Sequence, residues 1–258
     1  MVQTTGGEPG AVWITGAGSG LGRSLALRYL SDGASVAGTA RRVDTLTDVA
    51  LAGVGKPGRF YVHPGDLTDA GQAEALVEAI ERSAGPIRLA VLNAGTHQPS
   101  PADGFRAATV SALLEANVMT VAHCLEALLP RMLARGGGQI AVNASLAGYR
   151  GLPRASAYGA SKAALINMTE SLAVELAPTG VRMRLINPGF VRTPLTDLND
   201  FPMPFLMDVD KAAERLYAAL ETGKSFEIVF PRRFAYILKF LRLLPYALYL
   251  PLVGRATK

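Results

Sequence analysis

The sequence predicts a doubly wound α/β fold, with a parallel sheet of about seven strands and helices on both faces. Three observations carry that expectation. Short runs rich in Val and Ile recur along the chain, longer segments of helical period separate them, and a glycine-rich turn follows the first apolar run. Strands covered by helices on both faces read as continuous apolar runs, and parallel neighbours need a helical crossover between them.

Taken in order, residues 11–15 (Ala-Val-Trp-Ile-Thr) form the first strand. The glycine turn follows, and then a helix through residues 23–30. Strands are expected at 34–39, 59–62, 89–92, 139–143, 181–186 and 226–230. Asp69 is a suitable N-cap for a helix over 70–83. A long apolar helix over about 111–134 runs into Gly136-Gly137-Gly138, which ends it. Another covers about 157–176 and is stopped by Pro178 and Gly180. With no internal repeat or linker, residues 1–258 read as a single dinucleotide-binding and catalytic domain carrying an apolar C-terminal extension from about residue 231.

Apolar residues make up 49% of the chain and charged residues 18%, which excludes a disordered protein. The net charge of +5 is unevenly placed. Six of the 26 basic residues follow Glu227 and no acid does, which leaves 20 basic residues against all 21 acidic ones before that point. A nucleic-acid groove needs basic residues spread along one face, so nucleic acid is not an expected partner. Cys124 is the one cysteine and no signal peptide is visible, so a cytoplasmic location is expected.

The turn Thr15-Gly16-Ala17-Gly18-Ser19-Gly20-Leu21-Gly22 has the spacing G-x-x-x-G-x-G. Glycines there let the backbone approach a pyrophosphate, whose charge meets the N–H groups opening the helix. After the second strand stand Thr39-Ala40-Arg41-Arg42. An acid at that place would bond the ribose hydroxyls of NAD and repel a 2′-phosphate. The guanidinium groups of Arg41 and Arg42 favour NADP(H) instead. Tyr158 and Lys162 are four residues apart and share a helix face, where an ammonium is expected to lower the phenol's pKa. Ser145 lies thirteen residues upstream, just past the fifth strand.

In these segments the chain resembles the short-chain dehydrogenase/reductase family over roughly residues 11–230. The matching pieces are the glycine turn, Asp66-Leu67, Asn93-Ala94-Gly95, Asn117, Ser145, Tyr158 with Lys162, and Asn187-Pro188-Gly189 through Thr193. The resemblance implies a Rossmann-like fold and hydride exchange with a carbonyl or alcohol. It implies Tyr158 as the general acid, Ser145 as a hydrogen-bond donor to the substrate oxygen, Lys162 on the nicotinamide ribose, and Asn117 holding a water relay behind Lys162. Gly16, Ser19, Gly20, Leu21 and Gly22 would hold the pyrophosphate, and Asp66 and Leu67 would flank the adenine. Asn93, Ala94 and Gly95 would line the adenosine side, with Pro188, Gly189, Val191 and Thr193 over the nicotinamide. Leu92 departs from the family pattern, which has a second Asn there. Relatives often associate through the helices around Asn117 and Tyr158, so a homodimer or homotetramer is expected.

Two other classes compete. Sugar-nucleotide epimerases share Tyr-x-x-x-Lys but differ in glycine spacing, and a non-catalytic NADP(H) sensor or scaffold would not need Tyr158 and Lys162. His63, His97 and His123 are scattered, so no metal site is expected, and His97, which follows Asn93-Ala94-Gly95, reads as a plain loop residue or as one at the pocket rim. Phe190, Leu195, Phe201, Phe205 and Leu206 populate the segment expected to close over the nicotinamide, which points to a lipophilic substrate.

The tail over 234–253 is strongly apolar, but Lys239 and Arg242 interrupt it and Pro245 and Pro251 break it, so it is too short to span a bilayer. Either it folds back over the pocket or a subunit interface, or it lies as a peripheral contact on the inner face of a membrane, with its basic residues near anionic headgroups.

Overall fold

The computed structural model describes residues 10–196 and 203–256. Seven parallel strands, β1 (Ala11–Thr15), β2 (Ser35–Thr39), β3 (Arg59–Val62), β4 (Ile87–Leu92), β5 (Gly138–Asn143), β6 (Val181–Pro188) and β7 (Glu227–Phe230), lie in the order β3-β2-β1-β4-β5-β6-β7. This is the expected doubly wound arrangement. The strand order reverses between β1 and β4, and the crevice outside their C-terminal ends is where such folds bind ligands.

Each strand alternates its side chains between two cores. In β1, Val12 and Ile14 enter one core, which packs under α1 (Gly20–Ser31), α2 (Val43–Ala52) and α7 (Val209–Thr222). Ala11 and Trp13 enter the other, under α3 (Ala70–Ala84), α5 (Thr120–Ala134) and α6 (Ser156–Leu176). All five β1 residues are buried, four of them apolar, and the one polar member, Thr15, has its hydroxyl hydrogen-bonded. Trp13 directs its indole N–H to Thr39 Oγ1 at 2.9 Å, which satisfies its buried donor.

Helix ends follow local chemistry. Asp69 caps α3 as expected, its Oδ1 accepting from the N–H groups of Gly71 (2.9 Å) and Gln72 (3.2 Å). At the end of α5, Gly136 takes φ +68°, its N–H reaches Leu133 O, and Gly137 N–H reaches Met132 O, both at 3.1 Å. That is a Schellman motif, and its left-handed residue calls for glycine. Buried Arg184 on β6 donates to the carbonyls of Ala219 and Gly223 at 3.0 Å each, so a cation closes the C-terminal end of α7.

Several expectations need correction. The helix expected over 111–134 starts at Ala107 as α4 (Ala107–Leu114) and passes through a π-helical turn at Glu115–Met119 before α5. Among the described residues this run, Ala107–Ala134, is long and apolar enough to cross a membrane by composition. Its Val121, Cys124, Leu125 and Leu128 are instead buried in the core. The tail forms two helices, α8 (Arg232–Leu243) and α9 (Tyr246–Ala256), and Pro251 lies inside α9 instead of ending it. The acceptor it deprives is the carbonyl of Ala247, an exposed residue, where solvent can satisfy it.

Candidate active site

At the end of β1, Thr15 Oγ1 accepts from the N–H groups of Asn93 and Ala94, both at 2.9 Å. This ties the first strand to the loop after β4, where the crevice opens. Gly16 and Gly20 have φ values of +67° and +50°, a region that side chains rarely tolerate. A Cβ on Gly22 would lie 2.3 Å from Gly16 O, and one on Gly16 would lie 3.1 Å from Ala94 Cα. The turn is thus closed on itself and on β4, with no room for side chains. Ser19 N-caps α1 without a side-chain bond, so the opening N–H groups through Leu21 and Gly22 face no competing acceptor from the cap. Gly20 lies beside Thr193, whose methyl would be 3.1 Å from an added Cβ. The segment after β6 therefore overlies the turn, and the cradle fits a dinucleotide pyrophosphate.

The remaining residues expected near a cofactor line the same crevice edge. Arg41 and Arg42 are exposed between β2 and α2, and Arg42 is the N-cap of α2. Gly18 packs so closely on Thr45 of α2 that a Cβ would lie 2.3 Å from its hydroxyl, which brings the arginine-bearing helix start against the glycine turn. Asp66 Oδ1 accepts from the N–H (3.1 Å) and hydroxyl (2.9 Å) of Thr68. Leu67 is buried, and its carbonyl is 3.1 Å from His123 Nδ1. Asn93 acts as scaffold: its Nδ2 donates to Thr15 O at 3.1 Å and its Oδ1 accepts from Asn143 at 2.9 Å. Leu92, the departure from the family pattern, is a core residue of β4.

Gly95 passes between two polar groups; a Cβ there would lie 2.9 Å from Asn117 Oδ1 and 3.5 Å from Lys162 Nζ. Asn117 is fully buried in the π-helical turn. Its Oδ1 accepts from Thr96 N–H (2.7 Å), and its Nδ2 donates to Thr96 O (3.0 Å) and Ser161 Oγ (3.0 Å). Its side-chain amide is therefore spent on clamping the loop after β4 onto α6.

Ser145, Tyr158 and Lys162 come together at the C-terminal edge of β5. Ser145 leaves the strand in extended conformation and accepts from Ala147 N–H at 3.1 Å. Lys162 Nζ donates to Asn143 O at 2.8 Å and lies 5.7 Å from the Tyr158 ring centroid. Burial lowers the ammonium's pKa from 10.5 to about 8. The expectation that this ammonium lowers the phenol's pKa is not met. Desolvation raises the Tyr158 value, although the ring keeps an open edge, and only a hydrogen bond with Ser145 acts against it. The phenol is consequently a firmly protonated donor at neutral pH.

Two contributors were legible only as alternatives, His97 at the pocket rim and the tail from Phe234 folded back over the pocket. His97 lies edge-on to Tyr158 with centroids 4.7 Å apart at 79°. Its position two residues past Gly95 was the available signal. Phe234 of α8 stacks on Phe190 (5.7 Å) and lies 5.8 Å from Phe205, so the tail helps wall the segment that follows Pro188 and Gly189. Val191 is buried and bridges Met207, while Leu195 and Leu206 are half-buried beside them. Phe201 lies outside the described residues. His63 bonds Ser83 (3.1 Å), and burial pushes the Cys124 thiol up to about 12, so neither enters the site.

The short chain dehydrogenase family model matches residues 10–200. An uncharacterised oxidoreductase of Myxococcus xanthus is 39% identical over 239 residues, covering 92% of this chain and 93% of that protein. The 3-oxoacyl-[acyl-carrier-protein] reductase FabG of Thermotoga maritima is 30% identical over 184 residues, covering 71% and 75% of the two chains. The crystal structure of a short-chain dehydrogenase from Streptomyces avermitilis matches with a TM-score of 0.77 at 28% identity, covering 90% of each chain. With its strand order, glycine cradle and Ser145–Tyr158–Lys162 cluster already in view, the chain belongs to the short-chain dehydrogenase family and is an oxidoreductase.

Proposed function

We propose that the protein is an NADP(H)-dependent oxidoreductase that interconverts a carbonyl and a secondary alcohol on a lipophilic substrate. The observation that carries this reading is the pairing of a protonated Tyr158 with the Ser145 hydroxyl above the buried Lys162 amine. When bound, NADPH supplies the hydride. Tyr158 gives its phenolic proton to the substrate oxygen as negative charge develops there, and Ser145 donates a second hydrogen bond to that oxygen. Lys162 would hold the nicotinamide ribose, and in oxidation the ionised form of Tyr158 would take the proton back. Asn117 acts as a positioning residue, fixing the loop beside Lys162 through Thr96.

The preference for the phosphorylated cofactor rests on Arg41 and Arg42 beside the glycine turn, with no acid between Thr39 and Asp44. The lipophilic substrate rests on the Phe190–Phe234–Phe205 wall. A homodimer or homotetramer through the outer faces of α5 and α6 fits the exposed Leu133 and Val174. A panel of apolar ketones read by NADPH absorbance tests the reading: turnover with at least one class is expected. Cofactor binding without turnover across the panel would support the sensor reading instead.

A further inference from the structure

The tail folds back onto the body, but only half of its surface is used in doing so. The guanidinium of Arg150 donates to the carbonyls of Leu241 (2.7 Å), Arg242 (3.1 Å) and Leu244 (2.6 Å), which closes the C-terminal end of α8. It also lies 3.9 Å from the ring centroid of Tyr249, whose hydroxyl donates to Gly151 O. Lys239 pairs with Glu227, which also accepts from Tyr149 and from Asn187. Ala235, Leu238 and Tyr249 are buried. The inner stripe of both helices is thus packed and its polar groups are satisfied.

The outer face is different. On α8, Tyr236, Ile237, Phe240 and Leu243 recur at helical spacing and stand exposed, Leu243 at 81%. On α9, Leu248, Leu250 and Leu252 are each at least half exposed. Apolar residues scattered singly over a surface need no explanation, whereas so many exposed large apolar side chains on two successive helices mark a contact site.

We propose that this outer face of α8 and α9 docks the protein on an anionic phospholipid surface. Charge selects that occupant. Arg232, Arg233 and Arg255 are exposed and form no ion pair with a described residue, whereas Arg242 lines the inner cavity beside Glu170 and Glu227. No acid follows Glu227, which is already paired; Glu170 lines the cavity on the inner side of α8. A second copy of the chain is a poor occupant, because a two-fold interface sets a patch against itself and would bring the same arginines together without counter-charge. Helices of 12 and 11 residues reach only about 18 Å, short of a bilayer core, so they lie in the interface. Exposed Tyr236 and Tyr246 suit that level, where an amphipathic ring has one apolar and one wet end. A corollary rests on the proposed function: Phe234 on the inner face of α8 borders the substrate wall, so docking sets the pocket beside the bilayer that dissolves its substrate.

Co-sedimentation of the full-length protein with vesicles tests the docking without reference to activity. Binding is expected with mixed phosphatidylcholine and phosphatidylglycerol vesicles, weakened by salt and weak with phosphatidylcholine alone. Replacing Arg232 and Arg233 by Glu should weaken it by at least thirtyfold, a rough figure from the energy of two basic residues near an anionic surface. Phe240→Asp with Leu250→Asp, both at exposed positions, should abolish it while circular dichroism and NADPH binding stay unchanged. Absence of binding to anionic vesicles overturns the proposal. So does binding that ignores these substitutions, or a dimer in sedimentation velocity that Phe240→Asp dissolves. Vesicle binding by a protein that reduces none of the ketones leaves the docking standing and removes only the corollary.

Discussion

His97 meets Tyr158 edge-to-face, with ring centroids 4.7 Å apart and planes at 79°, so the imidazole walls one side of the phenol proposed as the general acid. The two residues are 61 positions apart, and the contact exists because the loop after β4 is clamped onto α6. Thr96, the neighbour of His97, is held by both side-chain atoms of Asn117, which in turn bonds Ser161 three residues beyond Tyr158. The arrangement fixes the phenol from a side that Ser145 and Lys162 do not reach.

Removing that wall should loosen Tyr158 without touching the cofactor. His97→Ala is expected to lower kcat by about 2- to 10-fold, the equivalent of one edge-to-face aromatic contact, with NADPH affinity unchanged. His97→Phe, which keeps a ring edge, should restore most of the loss. Steady-state kinetics of the two variants decide it, and equal loss in both would show that the imidazole acts by its nitrogens instead.

Tyr158→Phe keeps the ring and deletes the transferable proton. A loss of kcat of at least ~100-fold is expected, the usual cost of losing a general acid, with NADPH binding nearly unchanged by fluorescence titration. Activity within a few-fold of the parent would sink the assignment.

Arg41→Asp should turn cofactor preference from NADPH toward NADH, since it exchanges a partner for a phosphate for a partner for a hydroxyl. Loss of the charge-assisted bond is expected to cost roughly 1.5–3 kcal/mol in kcat/KM for NADPH. Comparing kcat/KM for both cofactors tests it, and a parent enzyme that already prefers NADH refutes it.

Burial lowers the Lys162 amine from 10.5 to about 8 while it raises the Tyr158 hydroxyl above its ordinary value. Below pH 8 both groups are protonated, the state needed to donate a proton beside a cation. As pH rises through about 8, Lys162 loses its charge first, so kcat/KM for carbonyl reduction should fall there. Lys162→Arg, whose guanidinium stays charged, should lose that inflection even if its overall rate is lower. The linked stability runs the other way. A lysine whose folded pKa lies below its unfolded value holds fewer protons when folded, so its contribution to stability improves as pH rises from about 8 toward 10.5. A reduction profile flat across pH 8 would falsify the role given to the ammonium.

The sequence by itself determined everything governed by local rules. The seven strands could be read because a strand buried on both faces is dominated by apolar residues, as Ala11–Ile14 of β1 show. The α5 end at Gly136 and the α3 start at Asp69 follow from hydrogen bonds within a few residues, and the Gly16–Gly22 turn follows from backbone angles that side chains exclude. The cluster of Ser145, Tyr158 and Lys162 was legible through the family resemblance of the segments around it, since Tyr-x-x-x-Lys on one helix face does not by itself mark a site. Tertiary structure alone decided the rest. Tyr158 is raised and not lowered because desolvation depends on what other segments cover, and it outweighs the hydrogen bond with Ser145 that alone acts against it. His97 reaches the phenol, and Arg150 fastens the tail across some ninety residues of sequence, through contacts that no periodicity encodes. Whether Pro251 ended its helix depended on whether the deprived carbonyl met water or protein, which only the packed molecule determines.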